Sequence, residues 1–326
     1  VIIIQMLLSA LTVLIIAAMT RELAGERSSV AAGVIASLYW PLAMAATHIL
    51  TETLFIFLLA GAAYSFMLFQ RRGRLSLAIL SGFLLGLSCL TRAVTLYMAF
   101  LAAVLILLAA WKRKKRSLVL AALLFILSFC LVMTPWTVRN WNVFKAFAPG
   151  GTNSGMVLYT GNFPPGGRGF GMNLRARDLQ AGKEYILELP EIERDRALRE
   201  LALQKMRENP VEVARIVALK ALFFWAPADW EILGHGEGVL NPWLVWLMLF
   251  VFIWAVWSDR RKEYLVPVFI TVYFYLISLA TYGSPRLRLP VEPFLMILAA
   301  EGWCKLDETL LGNTRRLVFL LAMIIT

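Results

Sequence analysis

The stretch KRKKRSLVLAALLFILSFCLVMTPW, residues 112–136, contains the two features that decide the fold. Five consecutive basic residues precede an apolar run over 117–135. A helix of that length matches the hydrocarbon core of a bilayer, which is about 30 Å thick. The basic cluster predicts that the helix starts on the cytoplasmic side, because cytoplasmic loops are enriched in Lys and Arg.

Similar apolar runs recur along the chain, which is 60% hydrophobic and only 16% charged. Most runs are apolar all round, which excludes a soluble bundle of amphipathic helices. We therefore predict an all-α polytopic membrane protein. Because both ends fall within apolar runs, we expect a piece of a longer protein that is truncated at both termini. The predicted spans are 1–19, 28–47, 50–69, 75–92, 94–111, 117–135, 239–257, 264–282, 289–304 and 315–326.

The basic residues are distributed unevenly among the connectors. The positive-inside rule places the richer connectors in the cytoplasm, and every span then alternates in direction. The net charge of +11 could suggest nucleic-acid binding, but the basic residues are placed as the topology of a membrane protein requires. We therefore predict a multi-pass protein of the cytoplasmic membrane and no nucleic-acid binding. These connectors hold half of the 32 basic residues, at Arg21 and Arg27, RRGR (71–74), KRKKR (112–116), DRRK (259–262), and Lys305 with Arg315 and Arg316.

This topology divides the chain into three parts. Residues 1–135 form an N-terminal transmembrane bundle of about six spans, 136–238 an extracytoplasmic region, and 239–326 the C-terminal transmembrane helices. The extracytoplasmic region begins with loops and contains an amphipathic helix over 189–209. The segment 210–227 is predicted to be a helix in the outer membrane interface, because Arg215 and Lys220 make it a poor span.

The short outer connectors carry ionisable residues at a depth where they are costly. Glu52 begins an apolar run and is either functional or an acid that stabilises a helix N-terminus. Arg92 separates two runs and is either functional or a snorkelling turn residue. Arg286 and Arg288 are suited to bidentate phosphate binding, or alternatively to anchoring on lipid headgroups. His48 is interpreted as an interfacial polar group, because no second His or Cys forms a metal-binding pair with it.

Several stretches, in the same order along the chain, resemble glycosyltransferase family 39 and its bacterial relatives. This group of GT-C-type membrane enzymes includes protein O-mannosyltransferases and the aminoarabinose transferase that modifies lipid A. The resemblance implies a GT-C-like helix bundle and transfer, with inversion, from a polyprenyl-phosphate sugar at the outer membrane face. The stretches are LLSALTVLIIAAMTRELAGERSSVAAGVIASLYWPL, LTETLFIFLLA, LSCLTRAVTLYM, TPWTVRNWNVF, LYTGN and PRLRLPVEPFL.

The resemblance also implies roles for individual residues. Arg92, Arg286 and Arg288 would bind the donor phosphate and stabilise it as the sugar departs. Glu52 matches the acid of the second outer loop, which orients the acceptor, helps to bind a cation or holds the pocket together. LYTGN (158–162) would shape the sugar or acceptor side, but a tight turn at Gly161 is an equal alternative. The candidate substrate contacts are His48, Arg139, Tyr159, Asn162 and Tyr282, although Arg139 could instead fix the start of the outer region.

Some parts of the family's pattern are missing or left open. The catalytic base is expected in an outer loop before Val1, so we expect this piece alone to be inactive. Neither a cofactor nor a metal is predicted. The predicted partners are the polyprenyl-phosphate sugar, membrane lipids and an acceptor that is a protein, lipid or polysaccharide. Two alternative classes are less favoured. A lipid-linked saccharide flippase or transporter would place ionisable residues within its spans, which are nearly charge-free here. An O-antigen polymerase or ligase is less favoured because the order of the motifs PW..RN, GN and PRLRLP resembles that of family 39.

Overall fold

The structure is a computed structural model that describes residues 1–163, 179, 182–226, 241–258, 261–283 and 285–309. All regular elements among these residues are helical, so the predicted all-α class is confirmed. The predicted span 315–326 lies outside the described residues. The helices are α1 (Ile2–Ala24), α2 (Glu26–Leu38), α3 (Trp40–Thr47), α4 (Glu52–Arg72), α5 (Leu75–Thr91), α6 (Leu96–Arg113), α7 (Arg116–Phe144), α8 (Ser154–Asn162), α9 (Glu191–Glu208), α10 (Pro210–Trp225), α11 (Pro242–Trp257), α12 (Leu265–Ala280) and α13 (Glu292–Thr309).

Several of these helices have the length and apolarity of membrane spans. In the described part of the chain, five qualify, namely α1, α4, α6, α7 and α12. The spans that contain α6 and α12 begin at Ala93 and Lys262, in the short 3₁₀ turns before these helices. The pair α2 and α3 makes a sixth if its 49° bend interrupts a single span. Helices α5 and α11 are apolar but shorter. The protein is therefore a multi-pass membrane protein, as predicted.

Helix α7 differs from its predicted boundary. The span was predicted to end at Pro135, but the helix continues through this proline to Phe144. Proline removes one helical hydrogen bond without necessarily ending a membrane helix, because neighbouring side chains can satisfy backbone groups. In the following turn, Thr137 Oγ1 donates to Met133 O at 2.9 Å.

The chain forms two compact units, and the first comprises Val1–Val132, Pro227–Val272 and Leu289–Thr326. Glycines allow close helix contacts in this unit, because a Cβ added at Gly82 would lie 2.1 Å from Phe125 O. A Cβ added at Gly302 would likewise lie 2.1 Å from Phe250 O, so α13 packs closely on α11. Small residues at helix contacts are typical of membrane bundles, where van der Waals packing drives association.

Connectors that were predicted to share the cytoplasmic side meet at one end of the first unit. Arg71 Nη2 donates to Glu263 Oε2 at 2.9 Å, and Arg72 Nη2 donates to Glu22 Oε1 at 2.9 Å. Arg27 forms an ion pair with Asp307. The connectors after α1, α4 and α11 therefore lie at the same end of the bundle, in agreement with the alternation of the predicted spans.

The second unit comprises Met133–Ala226 and Tyr273–Arg288. Helices α8 and α9 form its hydrophobic core, together with a 3₁₀ turn over Glu184–Glu188. Asp195 of α9 accepts hydrogen bonds from Ser154 Oγ and from the amide of Gly155 at the start of α8. A carboxylate at a helix N-terminus satisfies amides that have no partner within the helix. The core residues are Tyr159, Leu179, Ile186, Leu198, Leu201 and Ala202.

Candidate functional site

In the first unit, Glu52 and Arg92 form an ion pair. Glu52 is the first residue of α4, and Arg92 directly follows α5. Because consecutive helices α4 and α5 run in opposite directions, both residues lie at the same end of the pair. Arg92 Nη1 donates to Glu52 Oε1 at 3.1 Å, and the guanidinium carbon lies 5.7 Å from the centre of the Phe55 ring. The sequence predicted a role for each residue, but it did not predict this pairing.

The two side chains of this pair differ in exposure. The Glu52 side chain is 1% exposed, whereas that of Arg92 is 16% exposed. A buried carboxylate is costly unless it is paired, so Arg92 stabilises the charge of Glu52. The guanidinium has five N–H donors in a fixed plane, and the bond to Glu52 Oε1 uses only one of them. The pair can therefore present an oriented cation to an anion.

In the second unit, the buried ammonium of Lys220 joins three helices. Its Nζ, on α10, donates to Asn162 Oδ1 at 2.9 Å, to Thr281 O at 2.7 Å and to Leu279 O at 3.2 Å. Lys220 is 1% exposed, and burial lowers its pKa to about 8. The three N–H donors of an ammonium match these three oxygens. Lys220 therefore holds the end of α12 against α8 and α10.

Arg288 has a similar structural role in the loop between α12 and α13, whose first carbonyls bind Lys220. It is fully buried, and its Nη1 donates to Phe224 O and Ala226 O, each at 2.8 Å. These carbonyls end α10, where helical carbonyls have no partner within the helix and a cation is favoured. The contacts favour a structural role for Arg288, so phosphate binding by this residue stays a prediction. Arg286 is half-buried in the turn Pro285–Leu287 and is the more accessible of the two arginines.

The candidate substrate contacts have different environments. Asn162 and Tyr159 are buried: Asn162 Nδ2 also donates to Leu158 O at 2.9 Å, and the Tyr159 hydroxyl accepts from Lys205 Nζ at 3.0 Å. These contacts favour packing roles for both residues. Arg139 is exposed, and its guanidinium lies 5.3 Å from the Trp136 ring centre and 5.6 Å from that of Phe144.

Two further candidates are more accessible. His48 is exposed between α3 and α4, and its Nδ1 lies 3.0 Å from Met44 O. Tyr282 is half-buried just after α12. Their proposed contacts with substrate stay predictions. Among the described residues, no group of three or more His, Cys, Asp or Glu side chains is arranged to hold a metal ion.

Lys220 is the residue that sequence reasoning missed. Its charge was taken only as evidence that 210–227 does not span the membrane, and α10 is indeed absent from the span candidates among the described residues. Gly283 is a sequence feature that could have indicated this contact, because a Cβ added there would lie 2.8 Å from the Lys220 side chain. A glycine beside a predicted functional loop can mark the close approach of a buried side chain.

Comparisons with known proteins agree with this fold. Residues 1–136 match the model of a family described as dolichyl-phosphate-mannose-protein mannosyltransferase. The structure is similar to that of the archaeal oligosaccharyltransferase AglB from Archaeoglobus fulgidus, solved with an inhibitory peptide and a dolichol-phosphate. That match has a TM-score of 0.51 and 13% sequence identity, and it covers 97% of this chain and 42% of that chain. No curated protein matches the chain.

These findings confirm the resemblance to GT-C glycosyltransferases that the sequence motifs predicted. The chain spans less than half the length of the archaeal oligosaccharyltransferase, and the family match covers its first 136 residues. At 13% identity, the structural match shows the fold alone. The Glu52–Arg92 pair lies within the matched segment.

Proposed function

We propose that the protein is a glycosyltransferase that moves a sugar from a polyprenyl-phosphate donor to an acceptor at the outer face of the cytoplasmic membrane, with inversion. The Glu52–Arg92 pair, which lies within the segment matched to mannosyltransferases, is the observation that carries this proposal. Charge placement supports the outer face, because the pair lies at the end of α4 opposite to the basic RRGR connector. The dolichol-phosphate bound to the archaeal oligosaccharyltransferase supports a lipid-linked donor.

The proposed reaction gives the ion pair a defined task. The acceptor nucleophile attacks the anomeric carbon of the sugar as the bond between that carbon and the phosphate oxygen breaks. The electron pair of the broken bond stays on the phosphate, and a base removes the proton of the acceptor. Arg92 stabilises the growing phosphate charge, while Glu52 fixes the orientation of the guanidinium.

Arg286 is the proposed phosphate ligand of the second unit, since its side chain is more accessible than that of Arg288. We propose that two contacts position the loop that carries Arg286. Lys220 binds the carbonyls of Leu279 and Thr281 at its start, and Arg288, which follows Arg286, binds the carbonyls that end α10. The base that receives the acceptor proton is proposed to lie in an outer loop before Val1, as the family resemblance implies. The acceptor is a protein, lipid or polysaccharide, and the peptide bound to the archaeal enzyme favours the protein class.

The test is a transfer assay on the protein expressed from its complete reading frame. Radiolabelled polyprenyl-phosphate sugars are added, and donor-dependent release of polyprenyl phosphate is measured. Arg92→Ala is expected to lower the rate about 100-fold, as removal of one transition-state donor typically does. Arg92→Lys should restore part of the rate, because it keeps the charge but loses the planar fork of donors.

Arg74→Ala is the matched control, since exposed Arg74 precedes α5 at the end opposite to Arg92. It should keep the full rate. Arg286→Ala should lower the rate, and Arg288→Ala should lower the thermal midpoint more than Arg286→Ala does, because Arg288 is fully buried. An Arg92→Ala variant that transfers sugar normally would refute the proposal. Scrambling of labelled lipid between leaflets without any transfer would favour the flippase class instead.

A further inference from the structure

The first unit contains a large cavity whose basic end lies at the end of α4 opposite to the Glu52–Arg92 pair. Its volume is about 1010 Å³, and its walls come from α4, α5, α6, α7 and α12. Binding sites for small molecules usually measure about 300–1,000 Å³, so this cavity can accept a large ligand. Most of its wall is apolar. Representative wall residues are Leu59, Phe66, Leu105, Ile106, Phe125 and Ile270.

One end of the cavity has a basic rim, formed by Arg71, Arg113, Lys115 and Lys262. Arg71 is engaged by Glu22 and by Glu263, and Glu263 is also part of the lining. The other three cations, here called the rim cations, are exposed and form no ion pair with another described residue. The rim therefore carries positive charge that the described part of the protein does not neutralise.

An apolar wall beside a cationic rim matches an amphipathic anion. A water-soluble phosphate compound would leave the wall without contacts, and a neutral lipid would leave the rim cations without a counter-charge. We infer that this cavity binds an anionic two-chain phospholipid, with its acyl chains against the wall and its phosphate at the rim. Basic residues attract anionic lipids at the cytoplasmic surface by about fivefold in affinity per cation.

The position of the rim separates this site from the proposed transfer site. The rim includes Arg71 near the end of α4, whereas Glu52 is the first residue of the same helix. A helix of 21 residues is about 30 Å long, so the two sites lie a membrane thickness apart. The bound phospholipid would therefore belong to the cytoplasmic leaflet. Its phosphate would bridge the connector between α6 and α7 and the turn before α12.

Binding can be measured on delipidated protein in a neutral detergent. Dioleoyl phosphatidylglycerol and dioleoyl phosphatidylcholine are added separately, and lipid adducts are counted by native mass spectrometry. We expect one tightly held phosphatidylglycerol and much weaker binding of phosphatidylcholine, which has the same acyl chains. Comparable binding of both lipids would overturn the inference, since the rim cations would then contribute nothing.

Charge variants provide the sharper test. The triple variant Arg113→Gln, Lys115→Gln, Lys262→Gln should weaken phosphatidylglycerol binding on the order of 100-fold, at about fivefold for each cation. The matched control replaces Lys112, Lys114 and Arg116 by Gln, because these residues lie in the same basic connector and do not line the cavity. The control should keep its affinity within about threefold, since its three side chains do not line the cavity and would not contact the bound phosphate.

The remaining outcomes also decide the question. An equal loss in both triple variants would indicate general attraction to a basic surface and would overturn the inference. Ala109→Trp, which fills the cavity from α6, should reduce binding with the rim intact. Preferential binding of polyprenyl phosphate over phosphatidylglycerol would assign the cavity to a different lipid and would also refute the proposal. None of these measurements depends on sugar transfer.

Discussion

Replacement of Lys220 by Met is the most informative test of the second unit. The change leaves three buried oxygens, Asn162 Oδ1, Leu279 O and Thr281 O, without the donor they share. Each buried acceptor without a donor costs about 1–3 kcal/mol. Part of this cost is offset because Met does not require the burial of a charge. We expect a net loss of about 3 kcal/mol in the free energy of unfolding.

The loss can be measured as a shift in thermal midpoint. The chain contains 11 Trp residues, so intrinsic fluorescence in a neutral detergent follows unfolding. A loss of about 3 kcal/mol should lower the midpoint of this 326-residue chain by about 4 °C. Arg215→Met is the matched control, because it removes a cation from the same helix but breaks only an exposed pair with Glu212 at 2.7 Å. Exposed pairs contribute less than about 1 kcal/mol. Equal midpoints for the two variants would refute the reasoning.

Two further predictions concern pH and helix packing. The pKa of Lys220 is about 8 in the folded protein against an ordinary 10.5, so the folded state binds fewer protons between these values. The free energy of unfolding of the unmodified protein, measured in thermal scans relative to that of Lys220→Met, should therefore rise by about 2 kcal/mol from pH 8 to pH 10. A fall over this range would contradict the lowered pKa of Lys220. Gly82→Ala should cost about 1–3 kcal/mol, because its Cβ would overlap Phe125 O. Gly33→Ala is the control, since its Cβ would make an ordinary 3.7 Å contact with Ala17, and equal midpoints would argue against close packing at Gly82.

The membrane helices were largely predictable because hydrophobic length is a local property of the sequence. Apolar runs and basic connectors predicted the ends of α4, α5 and α6 to within about three residues. The end of α7 was not predictable by the same logic. Pro135 suggested a boundary, but a helix can pass through a proline when its surroundings compensate for the missing hydrogen bond.

The candidate site was predictable only in part, because its key contacts join residues distant in sequence. The cost of a carboxylate in an apolar segment singled out Glu52, and Arg92 was found in the same way. Their pairing depends on how α4 and α5 are aligned in space, and the residues around Glu52 or around Arg92 do not reveal that alignment. Arg286 and Arg288 are two residues apart and looked equivalent, yet only Arg288 reaches the carbonyls that end α10.

The contacts of Lys220 also set an order of events during synthesis. Its acceptors Leu279 and Thr281 follow it by 59 and 61 residues, so they leave the ribosome several seconds later at about 5–20 residues per second. Until then the ammonium needs water, which keeps the new α10 out of the hydrocarbon. An α10 that inserted as a span would reverse the predicted orientation of every later span, so the predicted topology requires this helix to stay out of the hydrocarbon.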